Sequence, residues 1–351
     1  MLDTAFLVRR QQPGFLLSSL CYVGGLAMGL AISAVLLVQA GVPPEALIDE
    51  FIVAAFLTSD GLSQTVTAAL PLVLVGLASA VAMRVRFWNI GIEGQLWLGA
   101  VAATWVALNG IGPATLQLPL MMALAALAGA GWIAISLFLK LKWGVNEVIS
   151  TLLLGSVAFL LVQHLLFGAW RDPANSFPVT AAFAETARFS GLGWGQLHAG
   201  LFVVLAVAFV VWFALEHTRA GFYADAVGLN PMTALATGLP VRRTVIGLVL
   251  LSGALSGLAG MMIVSGTEHR LNQTIGNGYL FSAIVIAYLA RAKPLWVLVV
   301  ALALGAVFTA GNVLKVFYSI SEAMIVLVQG TVLLSILMAQ FFSTYSLSRP
   351  V

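Results

Sequence analysis

Glu93 and Glu147 are the acids that fall within long apolar stretches of this 351-residue chain, and each has neutral polar company. Glu93 sits in FWNIGIEGQ beside Asn89 and Gln95, and Glu147 sits in GVNEVIST beside Asn146, Ser150 and Thr151. Ionisable groups are expensive in hydrocarbon, so each asks for a reason. Amides, hydroxyls and a carboxylate along one passage could hand a polar solute from one hydrogen bond to the next, which is recognition rather than catalysis. The same residues also have plain structural uses. Asn89 and Asn146 are good N-caps, and an acid in a first helical turn favours the positive end of the helix dipole. For Glu147 that use comes first and the passage second. For Glu93, held between Gly91 and Gly94, both readings stay open. Phe87, Trp88, Trp97 and Trp105 form an aromatic stripe that could stack on a flat ring, although tryptophan also gathers at membrane boundaries for its own reasons.

A second stretch is polar for a different purpose. Residues 216–243 read EHTRAGFYADAVGLNPMTALATGLPVRR and interrupt two long apolar runs, giving a loop over 217–243. Asn230 before Pro231 is an N-cap followed by proline at the first helical position. Gly238 and Pro240 then supply the stop. One short helix over 231–237 results, too short to stand alone in water, so it must pack on something. An amphipathic turn over 219–227 leads into it through Gly228, with Arg219 and Asp225 as its charged members. The predicted role is a docking element through which a soluble partner pushes on the membrane-embedded part. An ordinary surface loop is the plainer reading of the capping pattern.

The elements that must position these residues follow from composition. Sixty-one per cent of the chain is hydrophobic and only 8% is charged, against about a quarter charged in soluble domains. The fold class is therefore an all-α polytopic membrane protein, a single transmembrane domain over 1–351. Ten spans are predicted, at 15–40, 62–83, 89–109, 115–139, 146–169, 197–216, 244–266, 276–290, 294–312 and 322–342, the first being retained rather than cleaved as a leader. With the N-terminus inside, twelve of the sixteen Lys and Arg residues fall on the cytoplasmic side, and Arg171, Arg188, Arg270 and Lys315 remain outside. The positive-inside rule supports that arrangement, with both termini cytoplasmic. The outer loop 170–196 could receive a partner or cap the bundle, and residues 43–60 read as an amphipathic segment at the outer interface.

Five spans per half would set the halves in opposite orientation, a 5+5 inverted pseudo-repeat. NIGIEGQLWLGAVAA, opening the third span, is faintly echoed by TIGNGYLFSAIVIA, opening the eighth. Inverted repeats with broken helices are a transporter design. No GxxxxGK[ST] loop, HExxH pair or nucleophile elbow occurs, and the single Cys21 excludes an internal disulfide and a cysteine metal site. No metal, cofactor or nucleic-acid partner is expected. The net charge of +3 comes from scattered loop residues rather than a basic block.

Five motifs together resemble the permease subunits of ABC importers of the branched-chain amino acid, ribose and nucleoside superfamily. They are FWNIGIEGQLWLGA, GVNEVISTLLLG, VGLNPMTALATGLPV, LSGALSGLAGMM and the run ending FTAGN at Asn312. The EGQ and NEVIST forms are similar to the nucleoside-type branch, whose binding proteins are of the basic membrane protein type and which often pairs two different permeases. The resemblance implies that 219–241 holds the coupling helix seated on an ATPase, with Asn230, Pro231 and Gly238 on its motif. Asn89, Glu93, Gln95, Asn146 and Glu147 match motif positions whose part in ligand passage is open. It implies as partners ABC ATPase subunits, a second related permease (a different chain or a second copy), an extracytoplasmic binding protein or lipoprotein, and membrane lipid. The expected place is the bacterial inner membrane. In one place the chain departs from the family, with Tyr279, Leu280 and Phe281 where an aromatic-glycine step is usual, so the solute stays open. Nucleosides come first, then riboflavin-like compounds, simple sugars and branched-chain amino acids. A self-sufficient secondary carrier or channel is the rival class, and it would need coupling-ion groups for which only Glu93 is a candidate.

Overall fold

A computed structural model describes residues 6–9, 15–49, 53, 57–276 and 278–348. Each of the ten apolar segments carries a helix. Among the described residues, seven of these are long and apolar enough to cross a membrane: α3 (Ser59–Arg84), α5 (Ala114–Trp143), α6 (Glu147–Phe167), α7 (Gly200–His217), α10 (Val241–Gly266), α12 (Pro294–Tyr318) and α13 (Glu322–Thr344). Shorter apolar stretches lie in α1 (Phe15–Gln39), α4 (Ile92–Leu108) and α11 (Tyr279–Leu289). Three further helices, α2 (Pro44–Ile48), α8 (Arg219–Leu229) and α9 (Pro231–Ala236), are too short to span.

The chain divides into two compact units, 59–306 and the pair of end segments 1–58 with 307–351. In the larger unit α3 is central, buried continuously from Ala69 to Ala82. A helix apolar on every side belongs in such a position. Against it packs α10, which in turn meets α4 and α5 through glycines. A Cβ at Gly99 would lie 2.2 Å from the carbonyl oxygen of Gly257, one at Gly129 2.2 Å from that of Gly253, and one at Gly260 2.0 Å from that of Leu96. Lipid supplies no hydrophobic drive for helices to associate, so contact at backbone distance is what holds them. LSGALSGLAG in α10 is the strip that permits it. By contrast α6 and α7 expose Leu153, Leu160, Phe202, Phe209 and Val210, an apolar outer surface suited to lipid tails.

In the smaller unit α1 packs on α13, with Gly25 against Ala339 and Gly29 against Val332. Leu37, Val42, Leu47, Leu314, Ile320 and Val328 form its core. The described chain is mostly helical, and a two-stranded antiparallel ribbon, β1 (Phe6–Arg9) with β2 (Tyr345–Ser348), is the exception to the helices. Four-residue extended segments at the two ends satisfy each other's backbone groups there. Arg10, Arg349 and part of the interfacial segment 43–60 lie outside the described residues.

Candidate functional site

Residues 85–91 arrive at α4 without helical structure, and the side chain of Asn89 does what backbone bonds would otherwise do. Its Nδ2 donates to Oε1 of Gln95 at 2.9 Å and to Oγ of Ser252 at 3.0 Å. Its Oδ1 accepts from Nε2 of Gln95 at 2.8 Å and from the Gly91 amide at 3.2 Å. The two amides thus exchange a reciprocal pair of bonds while 5% and 1% exposed. A fully partnered buried network of this kind fixes geometry. The expectation that Asn89 is an N-cap is corrected: the cap position is Gly91, two residues on, because the helix begins at Ile92. Thr151 joins from α6, its Oγ1 accepting the Ile90 amide at 3.2 Å. Gly91 and Gly94 allow α4 to touch the α6 backbone, where added Cβ atoms would come within 2.7 Å of Thr151 O and Gly155 Cα.

Glu93 turns the other way. Its Oε1 accepts the amide of Leu280 at 3.1 Å, in the first turn of α11. The first amides of any helix lack intrahelical acceptors, and a carboxylate there is favoured by the dipole. Gly278, at φ 84, sets up that start, and Gly276 lies so close to Trp97 that a Cβ would reach its Nε1 at 2.5 Å. The two echoing segments, at 89 and 274, therefore meet at their helix starts.

Asn146, Glu147 and Ser150 are not brought into this network. Asn146 is an exposed N-cap whose side chain accepts from the Val148 amide at 2.8 Å, as its position predicts. Glu147 pairs with Lys140 at the end of α5, and Ser150, though buried, bonds its own helix at Glu147 O. The aromatic stripe also separates. Phe87 and Trp97 are buried while Trp88 and Trp105 are about half exposed, because the first two fill the gap toward Lys140 and Phe159.

At the N-terminal end of α10 lies the second candidate region. Thr218 caps α8 and Asn230 caps α9, the Asn230 Oδ1 accepting from the amides of Met232 at 3.0 Å and Thr233 at 3.2 Å. The helix α9 runs over Pro231–Ala236, and Gly238 takes the left-handed φ of 80 that ends it. Gly228 is not the linker expected from sequence. It lies inside α8, where a Cβ would stand 2.1 Å from the carbonyl oxygen of Arg84, so its smallness serves packing. Arg84 anchors the region. Its guanidinium pairs with Glu216, lies 3.4 Å from Asp225, and donates to Leu215 O at 3.2 Å and Ala292 O at 3.3 Å. Arg86 adds a bond to Leu229 O at 3.1 Å, whereas Arg219 stays exposed. From sequence Arg84 carried only topological meaning. Its signal was position, the last turn of α3, where it reaches three other segments, α7, α8 and the turn at Ala292.

Beyond that anchorage α9 is bare. Within it only Ala234 is buried, while Met232 and Leu235, with Leu229 at the end of α8, are 75%, 61% and 78% exposed.

At the opposite end of α10 the loop 170–196 is stitched to the bundle. Thr180 bonds Leu271, Phe183 bonds His269 O, Phe189 bonds Ser265 O, and Ser63 of α3 holds both Trp194 O and the Gln196 amide. His198 follows, stacked on Phe189 and only 3% exposed. Among the described residues its Nε2 has no partner, nor have Oγ of Ser265 and Nδ1 of His269. Burial, with His269 nearby, pushes its pKa down to about 4. His269 is also lowered, by burial first and by the Arg188 charge second. Sequence reasoning passed over these histidines, which lie in loops without a ligand spacing.

The family described as branched-chain amino acid transport system / permease component matches residues 61–337. A glucose ABC transporter permease of Haloferax volcanii is 34% identical over 90% of this chain and 86% of its own length. A guanosine ABC transporter permease of Bacillus subtilis is 33% identical over 69% of this chain and 71% of its own. A nucleoside ABC transporter permease of Lactococcus lactis is 26% identical over 79% of each. Among solved structures, a chain of PsaBC from Streptococcus pneumoniae in complex with Fab is similar in fold, with a TM-score of 0.51 at 14% identity, covering 82% of this chain and 94% of that one.

Proposed function

This chain belongs to the branched-chain amino acid transport permease family, and from that premise we propose how it works as the membrane-spanning permease subunit of an ABC importer. It is a multi-pass protein of the bacterial cytoplasmic membrane. The observation that carries the working reading is the α8–α9 element: each helix capped at its start, α8 held through Arg84, yet the pair presenting Leu229, Met232 and Leu235 to solvent. Large apolar side chains on a polar loop mark a place for a protein partner. That partner is the ATPase subunit, a separate chain, and α8–α9 is the coupling element it grips, with Asn230, Pro231 and Gly238 shaping it and Arg219, Asp225 and Gly228 beside it. The chain works as one permease domain of ten spans in a 5+5 inverted pseudo-repeat with both termini cytoplasmic. The meeting of the α4 and α11 starts at Glu93 supports that symmetry. A second permease and an extracytoplasmic binding protein complete the importer.

The solute is a nucleoside or a related ribose-bearing molecule. Guanosine and nucleoside permeases among the relatives support this, and Asn89, Glu93 and Gln95, with Asn146, Glu147 and Ser150 toward the α6 start, are the candidate path residues. A simple sugar is the second reading, favoured by the glucose permease that aligns over most of the chain. Purification with co-expressed neighbouring subunits, followed by uptake of labelled guanosine and glucose into proteoliposomes, tests both. ATP-dependent guanosine uptake is the expected result. Glucose uptake alone would replace the substrate, and purification as a lone chain that moves solute without ATP would replace the class.

A further inference from the structure

The ends of α5 and α10 that meet near the docking element enclose an open cavity of about 450 Å³. Leu137 and Phe138 of α5 and Ile246 and Leu250 of α10 make its apolar walls, and Lys142 and Arg242 stand at its mouth. These two cations have no carboxylate partner among the described residues, unlike Lys140, which is paired with Glu147. The Lys142 ammonium lies instead 5.3 Å from the Phe138 ring and 5.0 Å from that of Trp143, which is 61% exposed. Exposed tryptophan, basic residues and helix ends together mark the level of lipid headgroups.

We propose that this cavity is a binding site for an anionic phospholipid, its phosphate between Lys142 and Arg242 and one acyl chain along Leu137, Phe138, Ile246 and Leu250. Charge complementarity decides the occupant. A neutral lipid would leave two cations unanswered, a packed partner helix would have to bury them, and a free phosphate would leave the apolar trough empty. The site also lies where α10 begins, directly after the loop that holds α9, so a seated headgroup steadies the segment that receives force from the ATPase.

The test is native mass spectrometry of the chain, with its co-purifying subunits, in mild detergent titrated with phosphatidylglycerol or phosphatidylcholine. Wild type retains phosphatidylglycerol with a preference on the order of tenfold, and K142Q/R242Q loses it. I246W fills the trough while keeping both charges, and it also loses the lipid. R243Q removes an equal charge outside the cavity and keeps the preference. Retention of the preference by K142Q/R242Q overturns the proposal. So does displacement of the lipid by inorganic phosphate, or its loss when a second permease assembles. Lipid retention is read without turnover, so failure to find the transported solute would leave this result standing.

Discussion

The Asn89–Gln95 network and the α8–α9 element are both built around an asparagine beside glycine, and they end in opposite conditions. Asn89 sits within 3.2 Å of all its partners, on α4, its N-cap and α10, in a region where backbone meets backbone. Asn230 serves only the two amides ahead of it, and the helix it starts buries a single alanine. The first region is complete within the chain. The second is complete only as a shape, with its apolar side chains facing outward. On the proposed function an importer subunit uses both: a body stiff enough to move as one piece, and a handle whose binding energy is left for another protein to supply.

The largest effect should come from breaking the stiff region. Gly99→Val would place a Cβ 2.2 Å from the Gly257 carbonyl oxygen, with backbone on both sides and no flexible side chain to yield. A loss upward of ~3 kcal/mol is expected, seen as failure to recover a monodisperse protein. Gly247→Val, on the same α10 but with nothing within 4 Å of the new Cβ, should purify normally. Equal behaviour of the two would mean that glycine contact does not hold α4 and α10 together.

Next comes the network itself. Asn89→Leu strands the Gln95 amide, the Ser252 hydroxyl and the Gly91 amide out of water, for a predicted cost of ~3 kcal/mol in thermal unfolding. The double variant Asn89→Leu/Gln95→Leu removes donors and acceptors together, so it should be more stable than the single one. If it is less stable, the pair does not act as the unit drawn here.

A smaller effect tests whether the loop 170–196 belongs with the stiff region. In the folded protein the His198 pKa is about 4, against an ordinary 6.5 in the unfolded chain. Between those values the unfolded chain holds more protons, so stability rises with pH in that window. It is complete above pH 6.5 and lost as pH falls toward 4, by about 2 kcal/mol at pH 5. Melting curves at pH 7.5 and pH 5 should show this fall, and His198→Gln should flatten it. A wild-type curve that does not change would detach His198 from the bundle.

What could be read from sequence divides along the same line. The caps at Asn146, Asn230 and Gly238 were legible because capping is local chemistry, settled by residues within one turn. The apolar segments were legible because hydrocarbon thickness imposes their length. Asn89 was misread for the same reason: a local rule made it a cap, whereas its partners Gln95 and Ser252 lie six and 163 positions away. Gly228 looked like a linker since nothing nearby in sequence announces the Arg84 carbonyl pressed against it. Arg84 itself, and the stitching of 170–196 to the end of α10, depend on which helix ends the fold brings together.

The smallest change in stability should produce the clearest change in work done, and it concerns the handle. Asn230→Ala removes the acceptor for two amides at a cost of ~1 kcal/mol. Gly238→Val forces a β-branched residue into φ 80, at ~1–2 kcal/mol. Because α9 buries only Ala234, neither penalty reaches the bundle, and melting temperature should move little. The shape offered to the ATPase does change, however, so ATP hydrolysed per solute imported should rise severalfold in Gly238→Val and less in Asn230→Ala. Measured in proteoliposomes carrying the whole importer, that ratio separates the two regions: core variants lower protein yield at constant coupling, and handle variants lower coupling at constant yield. Unaltered coupling in Gly238→Val would return α8–α9 to an ordinary surface loop, leaving Leu229, Met232 and Leu235 in need of another partner.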